Sequence, residues 1–357
     1  MSSKTPDQLY KTRGSKAKSV SAFGNIYDLV LKPLEEELID IQTIYFSPSG
    51  ILNQIPFSAI SIKKNERLID KFNLIRLSST SKISEFESSI QPSDIVFFGG
   101  VEYDISRRNN INDSTLLNIK TLEAFKSSNS NLGNSKSWKY LPGTLTEIES
   151  IKSQFENINI SSQIFKGESA TEEAFKKLDG NSPKIIHIAT HGFFYENVKS
   201  KSVSNAQMLE NLSLYSYAED PLLRSGLIFA GGNYAWANGI NPYEKEDGVL
   251  TAMEISNLDL SNTDLVVLSA CETGLGDIEG SEGVYGLQRA FKMAGVDIVV
   301  MSLWGVPDKE TAEFMEHFYS NWLGGMKLRD AFNQTQRIMA NRYNNEPEKW
   351  AAFVLFE

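Results

Sequence analysis

The chain has 357 residues, a formal net charge of −10 at pH 7 and one cysteine. This length allows one large domain or two ordinary ones, and the acidic balance argues against general nucleic-acid binding. A single cysteine excludes an intramolecular disulfide framework and is typical of a reducing compartment. No stretch approaches the ~18 consecutive apolar residues of a membrane span and no signal peptide follows Met1, so we expect a cytoplasmic protein.

The first part of the chain combines a polar lead with short predicted elements. Residues 1–20 are mildly basic, and we interpret them as a flexible lead or the end of a linker. Apolar positions near helical spacing predict a helix over 25–38, interrupted by Pro33. Short apolar runs bounded by turn residues predict strands at 43–46, 50–52, 74–77 and 94–98. An Asn-, Ser- and Lys-rich stretch then indicates a boundary, which divides the rest into subdomains 21–138 and 139–357.

Beyond residue 139, predicted helices and strands alternate. Capping-box spacing of Thr144 with Glu147, and of Ser169 with Glu172, predicts two helices that start there. Further helices are predicted at 250–258, 283–294, 309–323 and 327–343, and strands at 184–189, 225–230, 265–268, 297–303 and 353–356. Such alternation is typical of an α/β fold with a mainly parallel sheet and helices on both faces.

Two side chains stand where a parallel sheet places its active site. Cys271 follows the strand 265–268, and His191, which precedes Gly192, ends the strand 184–189. Open α/β sheets bind ligands just beyond the carboxyl ends of their strands. If the two strands are neighbours, the imidazole can draw off the proton of the thiol. The N–H groups of Gly192 and Cys271 are then the candidate donors to an oxyanion.

Other interpretations of these residues stay open. A free cysteine is often only a buried small hydrophobe. His187, inside a strand, is predicted to be a hydrogen-bonded core histidine, and His317, in the middle of a helix, to be structural. One cysteine and one histidine at the sheet edge are too few for a metal site, and no phosphate-binding loop is present. We therefore expect no metal and no cofactor.

Ordered motifs across nearly the whole chain resemble the CHAT family. They include HIATHGFF (187–194), LTAMEISNLDL (250–260), VVLSACETGLGDIEGSEGVYGLQRAFKMAG (266–295) and VVMSLWGVPDKET (299–311). CHAT proteins are caspase-like cysteine peptidases, similar to separase and often fused to TPR repeats. The resemblance implies a caspase-like, mainly parallel sheet flanked by helices. It also implies that the N-terminal part is a degenerate caspase-like subdomain that supports the catalytic one.

The resemblance places the family's HG histidine on His191 and its nucleophile on Cys271. It implies a cysteine endopeptidase that cleaves a protein substrate and is controlled by a TPR or other partner, fused or separate. Bacterial members are associated with defence and programmed cell death, including cleavage of gasdermin-like pore formers and action beside CRISPR effectors. No membrane or direct nucleic-acid partner is expected. A catalytically silent interaction module of the same fold, or another thiol hydrolase or acyltransferase, are the alternatives.

Substrate-binding residues are also implied by the resemblance. In separase-like enzymes the segment after the next strand borders the primary specificity pocket, and an aspartate directly after its tryptophan is associated with cleavage after arginine. Here Gly305 follows Trp304, so we expect a neutral or apolar residue before the scissile bond. Asp308 and Glu272 are acidic candidates that keep a basic preference open. Asp308 is equally well interpreted as the N-cap of the following helix.

Overall fold

The chain alternates strands with helices over the residues that the computed structural model describes, which are 26–63, 66–85, 90–104, 137–195, 215, 218–238, 246–270, 277–278, 284–344 and 346–357. The strands are β1 (Thr43–Phe46), β2 (Ser61–Lys63), β3 (Glu66–Arg67), β4 (Asn73–Arg76), β5 (Ile95–Val101), β6 (Ser162–Gly167), β7 (Ile185–Ile188), β8 (Gly192–Phe194), β9 (Ser225–Ile228), β10 (Val249–Thr251), β11 (Leu265–Leu268), β12 (Asp277–Ile278), β13 (Val284–Tyr285), β14 (Ile298–Ser302) and β15 (Phe353–Phe356). The α-helices are α1 (Ile26–Val30), α2 (Leu68–Lys71), α3 (Pro142–Asn157), α4 (Glu172–Lys176), α5 (Gly232–Asn238), α6 (Ala252–Ser256), α7 (Leu287–Met293), α8 (Asp308–Leu323) and α9 (Leu328–Arg342).

A six-stranded sheet forms the centre, in the order β15–β14–β11–β7–β5–β6. Neighbouring strands run parallel, except that β15 lies antiparallel to β14 at one edge. Every residue of β5, β7, β11 and β14 is buried, which explains why these strands are continuous apolar runs in the sequence. The predicted mainly parallel α/β sheet is confirmed. Strand β5, from the segment 21–138, is one of its inner strands.

Helices cover both faces of this sheet. Alternate strand residues such as Phe97 and Val267 face a core shared with α3, α8 and α9. Their neighbours Phe98 and Leu268 face a second core, to which α4, α6 and α7 contribute Phe175, Ile255 and Phe291. Because successive side chains point to opposite faces of a strand, each of these strands contributes to both hydrophobic cores. None of the helices in the described ranges is long and apolar enough to cross a membrane.

A small antiparallel sheet, ordered β10–β9–β8, packs into the second core. Strand β8 begins at Gly192, directly after His191, so this sheet continues the chain that leaves β7. Its strands approach very closely at Gly226, where an added Cβ would lie 2.5 Å from the carbonyl oxygen of Leu250. Only glycine fits this position.

The N-terminal part has its own small core and departs from the predicted elements in two places. The predicted helix over 25–38 ends at Val30 and continues only as a 3-10 turn around Pro33, which has no N–H to donate. The predicted strand at 50–52 is wrong. Residues Gly50–Gln54 form a 3-10 helix instead, because Leu52 and Ile55 donate backwards to carbonyls three residues earlier.

Both predicted capping boxes are wrong. Thr144 lies inside α3 and accepts a hydrogen bond of 3.0 Å from the N–H of Gly100, while Glu147 points into the core. Helix α4 is capped by Thr171 and not by Ser169, whose hydroxyl closes a turn with the preceding strand. The spacing was right for a cap, but Thr144 and Glu147 have tertiary partners and Ser169 has a local one in its turn.

Candidate active site

His191 lies at the carboxyl edge of the central sheet, shortly after β7 ends at Ile188. Strand β7 pairs with β11 in parallel, with Ile188 opposite Leu268. The pairing extends one residue further, because the N–H of Ser269 donates to the carbonyl of Ile188 over 2.9 Å. The strand that leads to Cys271 and the strand that leads to His191 are therefore direct neighbours that end at the same level.

Cys271 and Glu272 lie outside the described residues, which stop at Ala270 after β11. Ala270 is buried, and its carbonyl accepts a hydrogen bond of 2.7 Å from the hydroxyl of Ser302 at the end of β14. The backbone just before position 271 is thus held from both sides, by β7 and by Ser302.

The imidazole of His191 contacts two aromatic rings and a backbone carbonyl. Its Nε2 lies 2.8 Å from the carbonyl oxygen of Lys139. Its ring centroid lies 4.9 Å from that of Trp138 and 5.0 Å from that of Tyr103. Because a carbonyl only accepts hydrogen bonds, Nε2 carries the proton in the neutral ring and Nδ1 keeps its lone pair.

The surroundings also set the charge of this ring. Burial lowers the pKa of His191 below its ordinary value of 6.5, and it outweighs the Lys139 carbonyl and the Asp308 carboxylate, which both raise that pKa. The imidazole is therefore neutral at pH 7. A neutral ring with a free lone pair on Nδ1 is the form that a general base needs.

The backbone around His191 is tied to the second core. The Tyr103 hydroxyl lies 2.9 Å from Oγ1 of Thr190 and accepts a hydrogen bond of 3.3 Å from the N–H of His191. The Thr190 hydroxyl in turn donates to the carbonyl of Ile228 over 2.5 Å. Gly192, the predicted oxyanion donor, is half-buried at the start of β8.

A narrow cleft opens at the carboxyl ends of β7, β11 and β14. Its lining includes Thr190, Ser269, Ala270, Val306 and Asp308. Asp308 is the first residue of α8, while Pro307 occupies the N-cap position, so the predicted capping role of Asp308 is wrong. Its exposed carboxylate is favoured there by the helix dipole.

The other two predicted pocket residues do not line this cleft. Trp304 is half-buried between the two cores, and its Nε1 donates to the carbonyl of Glu348 over 2.9 Å. Gly305 is exposed. Val306 follows it and does face the cleft, so the segment predicted to border the pocket reaches the cleft through Val306 and Asp308.

A buried polar network below the cleft was missed by the sequence reasoning. Glu147 lines the cleft, is 2 % exposed, and its Oε1 lies 2.9 Å from Nε2 of His187. Nδ1 of the same ring lies 3.1 Å from the hydroxyl of Tyr319. The prediction of His187 as a hydrogen-bonded core histidine is confirmed. The signal for Glu147 was its position on the apolar face of α3, four residues before Ile151.

Three carboxylates among the described residues have the mutual spacing of metal ligands, those of Glu172, Glu246 and Glu254. The Nζ of Lys176 lies 2.6, 2.7 and 2.9 Å from an oxygen of each. An ammonium group therefore supplies the positive charge between them. This cluster joins α4 to α6 and to the segment that enters β10.

The sheet order, the helices on both faces and the edge site define a caspase-like α/β fold. The chain belongs to the CHAT domain family, because the family's sequence model matches residues 21–357. The resemblance found in the motifs is thereby confirmed.

Comparison with known proteins gives two kinds of relatives. Tetratricopeptide repeat protein 28 of Mus musculus and of Homo sapiens are each 33% identical over 108 residues, which is 30% of this chain and 4% of theirs. The Arg-specific cysteine proteinase gingipain R (RgpB) superposes with a TM-score of 0.51 at 9% identity, covering 92% of this chain and 66% of that one. Saccharomyces cerevisiae separase bound to securin gives a TM-score of 0.43 at 15% identity, over 85% of this chain and 14% of that one. At these identities the structural likeness concerns the fold alone.

Proposed function

We propose that the chain is a cysteine endopeptidase of the CHAT family, with Cys271 as nucleophile and His191 as general base. The observation that carries the proposal is the state of His191. Its neutral ring is fixed at the sheet edge by the Lys139 carbonyl, on the strand beside the one that leads to Cys271. A core histidine has no need of such placement.

The proposed reaction starts with transfer of the Cys271 thiol proton to Nδ1 of His191. The thiolate attacks the scissile carbonyl carbon, and the N–H groups of Gly192 and Cys271 hold the oxyanion that forms. The imidazolium then gives its proton to the leaving amine as the C–N bond breaks, which leaves a thioester on Cys271. Water, deprotonated by His191, attacks the thioester and releases the acid and the thiol.

We assign the cleft beside Ala270 to the side chain that precedes the scissile bond. Among the described residues that line it are the carboxylates of Glu147 and Asp308, and no lysine or arginine. An acidic side chain would therefore be repelled. Because the residue after Trp304 is Gly305, the proposed preference is for a neutral or apolar residue, and a basic residue recognised by Asp308 or Glu272 is the competing outcome.

The biological setting is proposed from the family and the relatives. The two curated relatives are tetratricopeptide repeat proteins, which favours control by a TPR segment, fused or separate. We propose a protein substrate and a role in bacterial defence or programmed cell death. A reducing compartment such as the cytoplasm suits a nucleophile that has to stay a free thiol.

A peptide-library cleavage profile tests the proposal. The full chain is compared with Cys271→Ala and with His317→Ala, which changes a half-exposed histidine on α8 away from the sheet edge. We expect cleavage by the wild type and by His317→Ala, and none by Cys271→Ala. Strong cleavage after arginine would contradict the argument from Gly305. Equal cleavage by Cys271→Ala would refute the proposed nucleophile.

A further inference from the structure

Asn233, in the first turn of α5, binds the backbone of Trp138. Trp138 directly precedes Lys139, whose carbonyl contacts His191. Its Oδ1 accepts a hydrogen bond of 2.7 Å from the N–H of Trp138, and its Nδ2 donates to the Trp138 carbonyl over 2.9 Å. The side-chain amide thus pairs with one residue's backbone in the way that a neighbouring antiparallel strand would. The N–H needs an acceptor and the carbonyl needs a donor, so the orientation of the amide is fixed by its partners.

Asn233 is itself held firmly. It is 7% exposed, and its backbone N–H donates to the carbonyl of Tyr103 over 3.0 Å. Nδ2 also lies 3.0 Å from a carboxylate oxygen of Asp104. Both hydrogens of the amide are therefore used. Rotation of this side chain would leave buried polar groups without partners, which is unfavourable.

The residue that Asn233 binds precedes the carbonyl that holds the imidazole. Lys139 follows Trp138 directly, and its carbonyl accepts from Nε2 of His191. With the N–H and the carbonyl of Trp138 both fixed, the Lys139 carbonyl can move only through the two dihedral angles of Lys139. The same two bonds fix the backbone that carries the Trp138 ring, and this ring packs against the imidazole.

We infer that Asn233 is a positioning residue for His191: it fixes the Lys139 carbonyl and thereby keeps the ring proton on Nε2 and the lone pair on Nδ1. The catalytic effect of Asn233 rests on the proposed function, because the tautomer of His191 affects the reaction only if His191 is the general base. Asn233 touches no reacting atom. Its loss should lower kcat about 10-fold to 100-fold through misplacement of the base, with KM unchanged.

The experiment observes the histidine ring N–H protons of the full chain by NMR in water. The chain has only three histidines, and the His191 signal is assigned by its loss in His191→Gln. We expect a slowly exchanging Nε2–H proton in the wild type. Asn233→Asp keeps the size of the side chain but turns an oxygen toward the Trp138 carbonyl, so this signal should vanish in Asn233→Asp and in Asn233→Ala.

Two controls separate positioning from general damage. Asn262→Ala removes a comparable bond, from Nδ2 of Asn262 to the carbonyl of Ser182 at 2.5 Å, and should leave the His191 signal intact. The His187 ring, buried against Glu147, reports on folding in every variant. If Asn233→Ala also loses the His187 signal, this variant is misfolded. The positioning role is then judged from Asn233→Asp, whose side chain has the same size.

The outcomes are distinct. A His191 proton that keeps its wild-type intensity in Asn233→Asp overturns the inference. Loss of that proton, with the His187 signal retained, supports it. If the His191 proton is lost in Asn233→Asp but the wild type cleaves no peptide, the proposed function fails and the positioning role stands. If the wild type is active and Asn233→Asp keeps both the signal and kcat, only the inference fails.

Discussion

Replacing Lys176 by methionine is expected to lower the free energy of unfolding by about 3 kcal/mol. The ammonium lies 2.6 Å from Glu172, which is 1% exposed and also accepts a hydrogen bond of 2.8 Å from the N–H of Gly248 at the entry to β10. Removing one partner of a buried ion pair costs about 3–5 kcal/mol, because the other charge stays buried. We take the lower end of this range, since Glu246 and Glu254 are partly exposed and water can reach them.

The pH dependence of the loss in unfolding free energy, measured by urea denaturation, is a second test of this prediction. Burial raises the pKa of Glu172 from 4.5 to about 7 even beside Lys176, and loss of the ammonium raises it further. For a carboxyl with a raised folded-state pKa, protonation relieves the penalty of burial. The penalty is therefore complete above the folded pKa and shrinks as the pH falls toward the unfolded pKa. The loss in Lys176→Met should be larger at pH 8 than at pH 5.

Lys184→Met is the matched control. Its Nζ lies 3.2 Å from Asp264, and both side chains are partly exposed, so its removal should cost no more than about 1 kcal/mol. A loss in Lys176→Met no larger than in this control would refute the reasoning. A loss that grows as the pH falls would refute it as well.

Two further substitutions test the packing around the site. Tyr103→Phe removes the hydroxyl that accepts from the N–H of His191, and urea unfolding should show a loss of about 1–3 kcal/mol; an unchanged midpoint would contradict this. Gly143→Ala places a Cβ 2.8 Å from the Cβ of Asp308, so α3 and α8 have to separate at the cleft. We expect a loss of about 1–3 kcal/mol and an altered preference before the scissile bond, and a variant with the stability and the cleavage profile of the wild type would count against the assignment of the cleft.

The sheet edge was predictable from sequence because its determinants are local. Continuous apolar runs identify strands buried on both faces, and parallel strands bring their carboxyl ends to one edge. The rule does not say which strands are adjacent. The structure pairs β7 with β11, and this pairing places His191 beside the strand that precedes Cys271.

The partners of these residues were not predictable in the same way. The Lys139 carbonyl has no signature in the sequence, because every residue carries one, and it lies 52 positions from His191. The sequence around Asn233 does not distinguish a loop asparagine from one that binds a backbone. Only the fold brings Trp138 to it. Glu147 has capping spacing, yet its place on the apolar face of α3 gave it His187 as a partner. In each case the partner comes from a distant segment of the chain, so no local pattern identified it.

Labelling of Cys271 by a peptidyl acyloxymethyl ketone tests the central claim most directly. The chain has one cysteine, so every adduct found by mass spectrometry reports on this thiol. We predict labelling of the wild type and of His317→Ala, and labelling at least about 100-fold slower in His191→Ala, which lacks the general base. Absence of labelling in the wild type across a panel of such peptides, or equal rates in the wild type and His191→Ala, would contradict the account and favour a silent interaction module.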